Sequence, residues 1–354
     1  MTLYSTIWCD EKPGLPPDMH VLHRERIGRR GVFRKVRQLA AGDAILLNGA
    51  LGASDLWFDM LLAIYIRWFR RGVGVLIADA TWHARALPGD SRAGFLFPAY
   101  ALLHRVLLLL SRGRYTHYGF LSTAEVALVA REASLRPGVA HFTAFCSQLP
   151  LEILDELRTL CAQTEASVGS RRPRIFSGGN ALRDYPSLLE AAAGLDADIE
   201  IATTKDLGPL PPNVRAAGRS HHDFFRDMAR SDIVVLPMWH TEGRSVGQQT
   251  YLNALALGKP LILTDVIGVR DHLVGDLHAL IVPSHDPAAL REAIVWMLAP
   301  EHGTARATMA QHGLTLASEM TFAHYAARLS ALLREIQSQL PLQTGPTPWV
   351  TPSA

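Results

Sequence analysis

Cysteine is scarce in this chain of 354 residues: Cys9, Cys146 and Cys161 are an odd, widely spaced set. That spacing excludes a disulfide framework and a clustered thiolate metal site, and it suits a reducing, cytoplasmic compartment. Charge imbalance is slight as well. With 35 Lys and Arg against 33 Asp and Glu, the net charge of +2 is too small to mark a nucleic-acid binder. The N-terminus "MTLYSTIWCDEKPG" lacks a basic region followed by an apolar core, so no signal peptide is expected. Uninterrupted apolar runs are short: "AYALLHRVLLLLSRGR", Ala99 to Arg114, is broken by His104 and Arg105 and falls below the roughly 20 residues of a spanning helix. What the chain does have is 48% hydrophobic residues, enough for large cores, and a length that suggests two domains.

"DAILLNGA" (Asp43 to Ala50), "GVGVLIADATWH", "RYTHYGFLSTAE" and "GVAHFTAFC" are apolar runs ending in polar or glycine residues, as buried parallel strands do. Helical stretches lie between them, one from Asp55 to Arg71 and one capped by Ser122 or Thr123 with Glu125 in its first turn. "CAQTEASVGSRRPR", Cys161 to Arg174, has few large apolar residues, and the interdomain linker is expected there. The pattern then restarts. "RIFSGG", "IEIATT", "DIVVLPM", "PLILTD" and "ALIVPS" read as strands; "YPSLLEAAAGL", "HHDFFRDMARS" and "DPAALREAIVWML" read as helices. The fold class is therefore α/β, with two doubly wound, Rossmann-like domains over residues 1–165 and 174–320. A helix over 321–338 is expected to return to the first domain, and the proline-rich tail 339–354 to fray.

Ligands of such sheets sit beyond the carboxyl ends of the strands, so the residues directly after the apolar runs carry the chemistry. "NGALG" places Gly49, Leu51 and Gly52 after one strand, and "SGGNALRDY" places Gly178 and Gly179 after another. Such turns let a backbone approach a phosphate, although a glycine turn is also commonly structural. Arg183 follows the second pair and can reach a diphosphate; its alternative is an exposed pair with Asp184. The polar loop of Glu242, Arg244, Ser245, Val246, Gly247, Gln248, Gln249 and Thr250 opens a helix whose first N–H groups need partners. A phosphate would satisfy them; so would Ser245 as a cap. "DATWHARA" sets Asp79, Trp82 and His83 at a strand end facing the cleft, with His83 a candidate to orient a ligand or share a proton. Arg219 is a further cation that can reach a bound diphosphate, ahead of His221 and His222, which are expected near the base of a nucleotide.

"FSGGNALRDYPSLLEA", "SDIVVLPM", "GQQTYLNALALGKPLILTD" and "HALIVPSHDPAALREAI", in that order over residues 174 to 335, resemble the C-terminal half of the GT-B-fold glycosyltransferases. The likeness is to the large retaining family that includes sucrose- and mannosyl-transferring enzymes. It implies two domains facing across a cleft, the second binding a nucleotide-diphosphate sugar and the first an acceptor such as a glycan or lipid-linked sugar. It implies retention without a metal or other cofactor, and a diphosphate held by Arg183 and by the glycine loop at Gly49 to Gly52. The family often carries two glutamates with seven residues between them; here Ser245 and Asn253 stand in those places, so Asn253 is assigned a ribose contact. Glu242 can supply the first carboxylate if the loop bulges. The competing readings are a non-catalytic scaffold of the same fold and a nucleotide-sugar epimerase, the latter disfavoured by few cleft carboxylates. "LWFDMLLAIYIRWFRRG", with Arg67, Arg70 and Arg71 beside Trp57, Phe58, Trp68 and Phe69, is either ordinary core helix or a peripheral contact with the inner face of a membrane.

Overall fold

The computed structural model describes residues 1–7, 16–50, 57–82 and 97–341. Its strands form two six-stranded parallel sheets. The first contains β1 (Leu3–Ser5), β2 (Met19–Val21), β3 (Ala44–Asn48), β4 (Gly74–Ala78), β5 (Thr116–Phe120) and β6 (Ala140–Phe142), in the spatial order β2-β1-β3-β4-β5-β6. The second contains β7 (Arg174–Gly178), β8 (Asp198–Ala202), β9 (Val214–Ala217), β10 (Ile233–Leu236), β11 (Leu261–Thr264) and β12 (Leu280–Val282), in the order β12-β11-β10-β7-β8-β9. Parallel neighbours need a crossover, and helices supply it. In the first domain these are α1 (Arg24–Val36), α2 (Phe58–Phe69), α3 (Phe97–Leu110) and α4 (Thr123–Glu132). In the second they are α5 (Leu154–Ala166), α6 (Tyr185–Ala192), α7 (His221–Ala229), α8 (Gln248–Ala256) and α9 (Pro287–Leu298). Two long helices follow, α10 (Gly303–Glu319) and α11 (Phe322–Ser338).

Local chemistry explains the boundaries. Ser122, Asp184 and Asp286 each accept a hydrogen bond from the backbone N–H three residues on, starting α4, α6 and α9, and Pro186 and Pro287 sit in the first turns they suit. Central strands such as "VLIA" of β4 and "IVVL" of β10 are buried at every position, because helices cover both faces of the sheet.

The linker expected at Cys161 to Arg174 is corrected. Leu157, Leu160 and Cys161 fall at helical spacing and pack into the second domain's core beside Phe225 and Met228, so the small residues around them extend α5. The chain crosses between domains earlier, over 143–150, between β6 and the 3-10 turn at Leu151–Ile153. Strands β1 and β2 are absent from the sequence reading; each is only three residues long, too short to show a period. The second crossing is made by α11. Its Leu329, Leu333 and Ile336 are buried against Leu46 and Leu76 of the first sheet. Of the expected tail, 342–354 lie outside the described residues.

Leu329→Ala should leave a cavity between α11 and the first sheet and cost about 2–5 kcal/mol. Urea unfolding of the variant beside the parent chain measures it.

Candidate functional site: the interdomain cleft

In the second sheet the strand order reverses between β7 and β10, which is where an open parallel sheet binds its ligand. The two loops leaving those strands are stitched together. The Asp184 N–H donates to the Pro237 carbonyl (3.0 Å), the Trp239 N–H to Leu182 (3.0 Å), and the Trp239 indole to the Arg183 carbonyl (2.9 Å). Arg183 is held between them, only 6% exposed. Its Nε donates to the Gly178 carbonyl (2.9 Å), Nη1 to Ala181 (2.8 Å) and Nη2 to Thr250 Oγ1 (3.1 Å). No carboxylate among the described residues pairs with it, and burial pulls its pKa below the usual arginine value. Asp184 does not serve as its partner: that carboxylate caps α6, accepts from Ser187 Oγ (2.7 Å) and meets His285 Nδ1 (3.0 Å). The guanidinium lies over Gly179, whose φ is +115° and where a Cβ would stand 2.8 Å from Nη2.

Thr250 belongs to the first turn of α8, and that turn is uncapped. Gly247 precedes it at φ +80°, with a Cβ position that would overlap the Met238 sulfur, and among the described residues no side chain accepts from the helix's first N–H groups. Ser245, the alternative cap, donates instead to Glu125 Oε2 at 2.6 Å. A buried cation and an open helix N-terminus therefore meet at one place, and a diphosphate would complement both.

The facing wall comes from the first domain. Arg244 reaches across the cleft to Asp79 Oδ1 (2.7 Å) and Glu125 Oε1 (3.5 Å). Gln248 Nε2 donates to the Leu121 carbonyl (2.8 Å), and Asp271 accepts from the Thr123 N–H (2.8 Å) and Oγ1 (2.6 Å). Glu125 is 1% exposed; burial raises its carboxyl pKa, with Arg244 opposing. Asp79 holds a left-handed backbone, φ +52°, at the end of β4. Glu125 and Arg244 are the cleft residues that the sequence reading did not single out. Glu125 was legible only as a first-turn acid, and Arg244 only as part of a polar loop.

The remaining candidates disperse. Gly49 lies at the end of β3, its N–H bonded to the Ala78 carbonyl (2.7 Å); Leu51, Gly52 and His83 lie outside the described residues. Trp82 does not face the cleft as expected: it is 8% exposed, with its indole N–H on Glu132 Oε2 (2.8 Å), because its flat ring is worth more packed inside the first domain. Arg219 sits beyond the edge strand β9, paired with Asp227 and Glu200, and His222 meets Glu152 (2.7 Å). Asn253 is 1% exposed and its Oδ1 accepts the Gln148 N–H (2.6 Å), fastening the crossing segment. Gln249 Nε2 reaches Gln148 Oε1 (3.3 Å), Val246 is buried, and Glu242 is exposed. Gly178 packs under Phe224.

Comparison with known proteins bears on the fold. The profile of the family described as "Glycosyl transferases group 1" matches residues 188–300, from α6 through α9. No curated protein matches by sequence. Among solved structures the chain is similar to sucrose-phosphate synthase from Thermosynechococcus elongatus (TM-score 0.63, 15% identity, 95% of this chain and 88% of that one). It is similar also to a glycosyltransferase from Rickettsia africae (TM-score 0.57, 12% identity, 96% and 99%). A third is HepE of Anabaena, solved in complex with UDP (TM-score 0.62, 15% identity, 90% and 86%). The fold is GT-B: two Rossmann-like domains facing across a cleft.

His104 of α3 lies beneath this cleft, 1% exposed, with its ring beside the Gly49 and Thr81 backbones. Burial lowers its pKa to about 4. Unfolded, it would bind a proton near the usual 6.5, so between pH 6.5 and 4 the unfolded chain carries the extra proton. Stability should therefore be full above pH 6.5 and fall on acidification, by about 3 kcal/mol for this group. Urea unfolding across that range checks it. His104→Phe should remove its share of the slope and leave that of His117, which burial also lowers to about 4.

Proposed function

We propose that the chain is a group 1 glycosyltransferase that moves a sugar from a nucleotide-diphosphate donor to an acceptor hydroxyl. The observation that carries this is the buried Arg183 guanidinium, without a carboxylate partner among the described residues, against the uncapped first turn of α8 at the strand-order reversal. That arrangement complements the diphosphate that must leave when the glycosidic bond breaks. Charge developing on the leaving oxygen is stabilised most by donors already in place, which need no reorganisation. HepE's complex with UDP supports the donor class.

The acceptor approaches from the first domain, as a glycan or lipid-linked sugar, and its hydroxyl attacks on the face from which the diphosphate departs, giving retention. No protein nucleophile is required in that course. Arg183 and the helix N-terminus supply the positive charge, so the reading assigns no role to a metal. Positioning across a closed cleft supplies the rest of the rate. Asp79 and Glu125 favour a second reading, a nucleotide-sugar epimerase, since both carboxylates stand at the cleft wall. A scaffold role remains the reading for a chain that binds no nucleotide.

Calorimetric titration tests the site. Arg183→Ala should weaken nucleoside diphosphates roughly ten- to a hundredfold, as loss of a charge-assisted contact predicts, and change nucleoside affinity little. Equal diphosphate affinity in parent and variant would end the assignment. Incubation with a nucleotide sugar separates the enzymes: an epimerised donor marks the second reading, and acceptor-dependent release of the diphosphate marks the first.

A further inference from the structure

The outer face of the first domain is apolar on two adjacent helices. On α3, Leu102, Leu103, Val106, Leu109 and Leu110 are between 37% and 63% exposed. Their spacing of one, four, seven and eight residues puts them on a single helix face. On α2, Leu61, Trp68 and Phe69 are 54%, 59% and 68% exposed at the same spacing, and Tyr65 stacks on Phe69 with ring centres 5.0 Å apart. The stripes lie side by side, because Arg67 Nη1 donates to the Leu110 carbonyl at 2.6 Å. Scattered exposed leucines need no explanation; two aligned stripes do.

Both stripes end at a basic groove. A cavity of about 830 Å³ opens between the last turns of α2 and α3 and the starts of β4 and β5. Arg67, Arg70, Arg71, Arg112, Arg114 and Arg136 line it, and no acidic side chain does. Among the described residues none of the six forms an ion pair. Arg70 donates to the Arg37 carbonyl, Arg112 to Ala133 and Arg136 to Arg114, contacts that orient the guanidinium groups without neutralising them. In a chain whose net charge is only +2, six uncompensated arginines in one place make a strongly polarised surface.

We infer that this face docks on an anionic lipid bilayer, with α2 and α3 lying along it and the arginine groove taking lipid headgroups. An apolar stripe bordered by cations matches the acyl boundary and the phosphate layer at their own depths. A soluble polyanion would use the arginines and leave the stripes unused. Since α3 runs antiparallel to the strands, its Leu102 end lies at the cleft edge of the sheet and its Leu110 end at the arginines. Docking along the stripe therefore brings the mouth of the cleft to the membrane surface. None of this depends on the donor assignment, because binding is read without turnover.

Cosedimentation of the full chain with vesicles is the test. The chain should pellet with phosphatidylcholine–phosphatidylserine vesicles, far less with phosphatidylcholine alone, and be released by high salt. The exposed residues give clean variants. Arg71→Glu and Arg114→Glu should each lower the partition coefficient about fivefold or more. Trp68→Ser should lower it while leaving the unfolding midpoint unchanged. Quenching of tryptophan emission by brominated lipid should decrease in Trp68→Phe. No pelleting at low salt overturns the inference. So does equal binding by the Arg and Trp68 variants, or capture by soluble polyphosphate in preference to vesicles.

Discussion

A guanidinium taken out of water with no carboxylate beside it costs several kcal/mol unless its donors are satisfied, and Arg183 is satisfied only by carbonyls and a hydroxyl. Much of the second domain serves that placement. Two loops from strands that are adjacent in space but distant in sequence are pinned to each other around it. A glycine with a left-handed backbone makes room beneath it, and Asp184, the nearest acid in sequence, is drawn off to cap α6 and meet His285.

The two domains meet through polar contacts rather than a shared core. Arg244, Ser245, Gln248 and Asp271 reach from the second domain to Asp79, Glu125, Leu121 and Thr123 of the first. The covalent connections lie to one side, at 143–150 and at the turn into α11, and Asn253 fastens the first of them to α8. One helix thus touches Arg183 through its first turn and the crossing segment through its middle.

The second domain was the more legible half. Its central strand β10 is apolar at every position, α6 and α9 carry caps and early prolines, and the order of elements is specific enough to place α8 and Arg183 from the sequence. What resisted reading was contact between residues far apart in the chain. Glu125 and Arg244 are 119 positions apart in sequence, and no local pattern pairs a first-turn acid with a loop arginine. Trp82 followed a strand, as a cleft residue would, yet a packing partner in Glu132 took its indole N–H inside the domain. The linker was misplaced because small residues weaken the hydrophobic period of α5 without breaking the helix.

Helix α11 gives the molecule an order of assembly. It is made after every other described element, and it covers a face of the first sheet built from Leu3, Leu46, Leu76 and Ala78. The first domain therefore leaves the ribosome with that apolar face bare, and it stays bare until the second domain has been synthesised and its final helix emerges. The N-terminal half can form its strands early but can complete its core only last. A chain interrupted anywhere before Phe322 would carry an uncovered sheet, the kind of surface that chaperones hold and that aggregates when they do not.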